Sequence, residues 1–163
     1  MTDLQKMRLD LSGLTDTEIE ARGLEEFSRN YLKNGRAGML NLCKGGIALF
    51  HPDRYCHAFR KSADRIGHPE SKSAVAVERV ERILWIKEVL EGRVTGTQCW
   101  RVVSRTPGKG PGRLFVVCRE CYVVWLDPRS GSSDKWNFSS AYPATRNDIK
   151  RYTSGATMLW EIP

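Results

Sequence analysis

No stretch of this 163-residue sequence is both long and free of charge. The opening MTDLQKMRLDLSGLTDTE scatters acids among its bases and holds no apolar core of signal-peptide length. The chain is therefore expected neither to span a membrane nor to be exported by the usual signal, and a cytoplasmic location follows. A P-loop, a GxGxxG after a strand, a GxSxG elbow and an HExxH pair are all missing, which leaves nucleotide hydrolysis by those machines without support. Cys43, Cys56, Cys99, Cys118 and Cys121 are odd in number and sit mostly inside apolar runs such as FVVCRECYVVWL, the pattern of buried free thiols in a reducing cytosol. Cys118 and Cys121 form a CxxC, but no second CxxC or suitably spaced CxxH accompanies it, so no metal and no other cofactor is expected.

The composition is that of a folded globular protein, with 40% hydrophobic and 28% charged residues and enough length for one core. The formal charge of +7 is unevenly spread: residues 1–40 carry seven acids against six bases, which leaves +8 for the remainder. Between Gly92 and Arg113 stand Arg93, Arg101, Arg105, Lys109 and Arg113 with no acid among them, a local field that attracts phosphates. A solubilising charged face is the plainer reading of the same residues.

Thr15 and Glu18 fit a capping box at the start of a helix over about 15–33, where Ile19, Leu24, Phe27, Tyr31 and Leu32 recur near helical spacing. After the apolar run GGIALF, Pro52 and Asp53 suit the start of a second helix running to about Arg65. The segment 73–91 reads as a third, with Val80, Ile83, Leu84, Ile86 and Leu90 on one side. Beyond Gly92 the texture is β: TQCWRVVS, RLFVVC, YVVWLDP, KWNFSSAYP and ATMLWEIP, separated by turn residues. Helices first and sheet second predict an α+β fold, N-terminal helices packed on a C-terminal twisted antiparallel sheet of four to five strands. Residues 1–40 are expected as a helical extension and 41–163 as the α+β domain, in one compact unit.

The three histidines, His51, His57 and His68, lie in one stretch with Arg54, Arg60, Lys61 and Arg65. On a helix His57 and Lys61 would share a face and point at one phosphate. That pair suits cleavage of RNA by its own 2′-hydroxyl, which needs a base, an acid and cations but no metal. Histidine titrates near neutrality, and a neighbouring cation favours its neutral, proton-accepting form. A histidine that merely packs or caps a helix is the plainer alternative, and His68 competes for the same role. A second constellation, Ser139, Ser140, Tyr142, Arg146, Lys150 and Arg151, mixes hydroxyls, a ring and cations able to hold phosphates and stack a base. Strand alternation would put Phe138, Ser140 and Tyr142 on one face, with Ser139 and Ala141 on the other.

Over roughly 50–163 the order CHAFRKS, ERVERILWIKEVLEG, CWRVV, RLFVVC, YVVWL and FSSAYP resembles the barnase, EndoU, colicin and RelE-like ribonucleases, particularly their phage-associated and toxin branches. FSSAYP looks like the TAY or TAF ending of those nucleases. The resemblance implies a metal-independent endoribonuclease, a toxin or defence effector cleaving tRNA or mRNA and held in check by a protein inhibitor or antitoxin. His57 and Lys61 match the helical contribution to such a site, Ser140 stands where the motif often has threonine, and Arg113 and Arg146 are further matches. Arg60, Arg93, Arg101, Arg105, Lys109, Tyr142, Lys150 and Arg151 are then the expected RNA contacts. The acidic first forty residues lie outside the likeness, as a packing helix or as a surface for an inhibitor. A non-catalytic RNA- or DNA-binding module is the alternative reading of the same basic surface.

Overall fold

The computed structural model describes residues 3–62, 72–103 and 112–163. Their order is α1 (Asp3–Lys6), α2 (Asp16–Tyr31), β1 (Gly38–Asn41), β2 (Ile47–Phe50), α3 (Arg54–Phe59), β3 (Arg60–Ser62), β4 (Lys72–Val75), α4 (Val77–Val80), α5 (Trp85–Leu90), β5 (Gln98–Val102), β6 (Arg113–Val117), β7 (Tyr122–Pro128), β8 (Lys135–Pro143), α6 (Arg146–Thr153) and β9 (Thr157–Glu161). The fold is α+β. Its sheet has seven strands in the order β1-β2-β8-β7-β6-β5-β9, and β3 and β4 form a separate ribbon. The sheet is mixed rather than antiparallel, because β2 runs parallel to β8 while the other neighbours are antiparallel. The two strands beyond the expected four to five are GMLN and IALF, too short for alternation to reveal.

Helix α2 begins as its sequence predicts. Thr15 Oγ1 accepts from the Glu18 amide at 3.3 Å while the Glu18 carboxylate accepts from the Thr15 amide at 2.7 Å. Its apolar side delivers Phe27, fully buried, against Phe50, Tyr55, Phe59 and Phe138 at ring separations of 5.8–6.2 Å. Gly23 leaves room for the Tyr55 ring, since a Cβ there would fall inside the Tyr55 hydroxyl. The boundary expected near residue 40 thus runs through β1, and residues on both sides of it share one core.

The long helix expected over 73–91 is instead a strand, a short helix and a second short helix, joined by tight turns in which Arg82, Ile83 and Trp85 donate three residues back. The physical cause is the Tyr31 hydroxyl. It donates to the Ile83 carbonyl at 2.7 Å and accepts from the Lys87 amide at 3.1 Å, and so occupies the rung those two groups would share in a continuous helix. The chain turns a corner at that point, and Ile83, Trp85, Ile86, Val89 and Leu90 all reach the core. The helix expected to reach Arg65 stops at Phe59, where Arg60 turns extended and enters β3.

Helices α2–α5 cover one face of the sheet. The other carries a smaller cluster of Phe115, Val117, Val123 and Trp125, capped by Ile149 and Tyr152 of α6. Helix α6 is not expected from the β texture beyond Gly92; it starts at a capping box of Thr145 and Asp148. Among the described residues no helix is long and apolar enough to cross a membrane, and no group of three or more histidine, cysteine, aspartate or glutamate residues converges to hold a metal.

Tyr31→Phe leaves the Ile83 carbonyl and the Lys87 amide without their bridge, and the expected loss is about 1–3 kcal/mol, read from urea unfolding midpoints. Burial pushes the Cys99 and Cys118 thiols from the ordinary 9.0 up to about 12. Their contribution is complete below pH 9, where both states are protonated. Above it the unfolded chain sheds protons that the native state retains, so stability is expected to fall as pH rises from about 9 to about 12. Melting temperatures measured across that window check the sign.

Candidate functional site

Strand β8 carries one residue more than its partner needs. Trp125 of β7 faces Ser140, while the next residue, Leu126, faces Phe138, so Ser139 is a bulge opposite no residue. The bulge breaks the simple alternation expected for this strand: Phe138 and Ala141 both face the helices, while Ser140 and Tyr142 lie opposite Trp125 and Val123 on the other face. Strand β2 pairs with β8 only as far as Leu49 and Asn137, then ends, and the chain enters α3 along the free edge of β8. His51 and Arg54 are thereby delivered beside the bulge.

Ser139 is 4% exposed, and its Oγ accepts from Arg54 and from Arg113, each at 3.2 Å. A hydroxyl has two lone pairs and one proton. With both lone pairs taken by guanidinium groups, neither contact uses the hydroxyl proton. Arg113 is further held by Asp127, whose carboxylate accepts from Nε at 2.6 Å, and by the Trp125 ring, 4.5 Å from the guanidinium carbon. Arg54 has no carboxylate partner among the described residues, and its buried Nε has no hydrogen bond. Alongside, His51 Nε2 lies 3.1 Å from the Asn137 side-chain oxygen. That oxygen can only accept, so Nε2 donates to it, and Nδ1 is the ring nitrogen that Asn137 does not engage.

Two guanidinium nitrogens bound to one oxygen lie within roughly 6 Å of each other, where like charges repel by about 3 kcal/mol at an effective dielectric near 20. Asp127 offsets one of the two charges. The other, together with the Ser139 proton that neither arginine uses, makes a cluster of donors lacking one anion. Next to it Arg79 stands over the Tyr142 ring at 5.0 Å, and the Tyr142 hydroxyl accepts from Trp125 Nε1 at 3.0 Å and meets the Tyr152 hydroxyl at 3.2 Å. Burial, followed by the Tyr152 contact, pushes the Tyr142 hydroxyl up to about 12, so it stays protonated at neutral pH.

Of the residues singled out in the sequence, Arg113, Ser139, Ser140 and Tyr142 meet here. Most of the others separate. His57 and Lys61 do not share a helix face, because α3 ends at Phe59 and Lys61 lies in β3 opposite Ala74. His57 is on the exposed side of α3, one turn after Arg54. Arg60 is bound to Glu20 of α2, its Nε donating at 2.7 Å. The cation run of 92–113 does not form one surface: Arg93 pairs with Glu88 at 2.7 Å and with Glu91, and Arg101 lies opposite Leu114 on the helix-covered face, 5.9 Å from the Trp136 ring. Arg151 pairs with Asp148 at 3.0 Å, while Arg146 and Lys150 line a pocket at the far end of the sheet. Arg65, His68, Arg105 and Lys109 lie outside the described residues. Sequence reasoning missed Arg54, Asp127 and Asn137 as partners, gave no role to His51 and put Ser139 on the wrong face. The available signal was HPDR directly after an apolar run, a strand-to-helix turn carrying both an imidazole and a guanidinium.

Arg54→Gln relieves the repulsion, and relief of about 1 kcal/mol corresponds to a melting temperature higher by roughly 2–4 °C in a chain of this size. Inorganic phosphate is expected to stabilise the unaltered protein by mass action, and the variant to lose the larger part of that response. Thermal melts with and without phosphate measure both effects, and a full phosphate response in Arg54→Gln would place the anion elsewhere. Compared with known proteins, the chain matches no family model, no curated protein and no solved structure, so the reading of the site rests on its own residues.

Proposed function

We propose that the protein is a metal-independent endoribonuclease that cleaves RNA by attack of the 2′-hydroxyl on the adjacent phosphate. The observation that carries this reading is the convergence of Arg54 and Arg113 on the Ser139 hydroxyl, with one carboxylate for the two guanidinium charges and His51 alongside. A scissile phosphate supplies the second negative charge. As the O2′–P bond forms and the P–O5′ bond breaks, a further charge develops on the non-bridging oxygens, and donors already fixed in place stabilise it without reorganising. His51 takes the 2′-hydroxyl proton at Nδ1. His57, one turn beyond Arg54, returns a proton to the departing 5′-oxygen, and Ser140 and Tyr142 flank the phosphate on the same face. Products are a 2′,3′-cyclic phosphate and a 5′-hydroxyl.

The resemblance to toxin and phage-associated ribonucleases supports tRNA or mRNA as the substrate, a role as toxin or defence effector in the cytoplasm, and restraint by a protein inhibitor or antitoxin. Incubating the protein with total RNA in EDTA and sequencing the new ends tests activity, metal independence and target together. Binding without cleavage would favour a non-catalytic RNA-binding module. His51→Ala is expected to lower the single-turnover rate by about a hundredfold or more and to remove the acidic limb of the pH–rate profile. His57→Ala is expected to remove the alkaline limb. A normal rate in His51→Ala overturns the assignment of the base.

A further inference from the structure

At the opposite end of the same sheet face, α6 and the turn between β6 and β7 border an open pocket of about 300 Å³. Arg119 enters it from the turn, and Arg146 and Lys150 from α6. All three are exposed, and none has an ion-pair partner among the described residues. Two of the acids nearby are already engaged, and a third, Glu120, lines the neighbouring pocket rather than this one, with a buried Oε2 that has no hydrogen bond. Glu161 accepts from Gln98 at 3.2 Å, and Asp148 accepts from the Thr145 amide at 3.2 Å, the Thr145 hydroxyl at 2.7 Å and Arg151 at 3.0 Å. The Cys118 thiol in the wall is pushed up to about 12 by burial and contributes no thiolate.

Arg119 is aimed rather than loose. Its stem lies across Gly96, where φ is +77° and where any Cβ would fall inside the arginine side chain. Glycine at that position therefore provides both the left-handed backbone and the channel in which the guanidinium is held. From this end of β6 to the Arg113 end is roughly 15 Å at about 3.3 Å per residue, too far for one phosphate to touch both sites and a short reach for a single strand.

The geometry points to a second phosphate site, formed by Arg119, Arg146 and Lys150, that grips the backbone of a single-stranded RNA away from the scissile phosphate. This rests on the ribonuclease reading and adds a reason for the enzyme to prefer extended strands over dinucleotides. Contacts made equally to substrate and transition state lower KM and leave kcat unchanged. A sequence-independent grip of this kind acts through counterion release, with a log-log salt slope near 0.7 per phosphate on single strands.

The test uses the whole protein and a fluorescent single-stranded 2′-O-methyl RNA, which cannot be cut by 2′-hydroxyl attack. Arg119→Ala is expected to reduce the salt slope by about 0.7 and to weaken binding roughly fivefold near 0.1 M salt, while Arg119→Lys restores both. With a cleavable RNA of the same length, KM should rise by the same factor at unchanged kcat, and cleavage of a dinucleotide should not change. An unaltered slope and affinity in Arg119→Ala overturns the second site and leaves the catalytic reading standing. Failure of the unaltered protein to bind RNA at low salt overturns both.

Discussion

The parallel pairing of β2 with β8, inside a sheet otherwise antiparallel, is the constraint on which the site depends. Parallel neighbours cannot be joined by a tight hairpin, so the chain between them must travel across the sheet and return. That excursion contains α3–α5, which cover one face. Because β2 pairs only as far as Asn137, the upper half of β8 is edged by α3 and α4 instead of by a strand. A bulge is tolerated there, since the free side of β8 has no ladder to keep in register. The imidazole from the end of β2, the guanidinium from the start of α3 and the bulged hydroxyl meet for that reason alone.

Several cations outside the two clusters are paired with local acids: Arg60 with Glu20, Arg93 with Glu88 and Glu91, and Arg29 with Glu25 and Glu26. Glu26, buried on the packing side of α2, is acceptable because Arg22 and Arg29 reach one carboxylate oxygen and Asn30 donates to the other, each at 3.2 Å. Arg54 beside Ser139, and Arg119, Arg146 and Lys150 around α6, have no acid paired with them among the described residues. Such local excess destabilises a fold and is retained where an anionic partner offsets it.

Much of the secondary structure was legible because its signals are local. The capping box of α2, the β-branched runs of β5–β8 and the turn residues between them each act within a few positions. What was not legible arose from distant contacts. The helical periodicity of 73–91 is real, and its apolar residues are buried, yet a hydroxyl from α2 interrupts the helix. The face of Ser140 was inverted relative to Phe138 by one inserted residue that alternation does not register. His57 drew attention through its spacing from Lys61, which counts only on a helix that continues, and α3 stops between them. His51 and Arg54 stood in the same stretch, but their partners Asn137 and Ser139 are more than eighty positions away.

The Tyr31 hydroxyl has a consequence for the order of assembly. The corner between α4 and α5 is made of adjacent residues and would ordinarily form early, as local structure does. Here the rung between Ile83 and Lys87 is closed by a group 52 and 56 positions away, so the corner acquires its native shape only when α2 has docked. A helix near the start of the chain thus serves as a template for a turn far downstream. Because α5 packs on β6 and β7, that turn lies between the first long helix and the centre of the sheet.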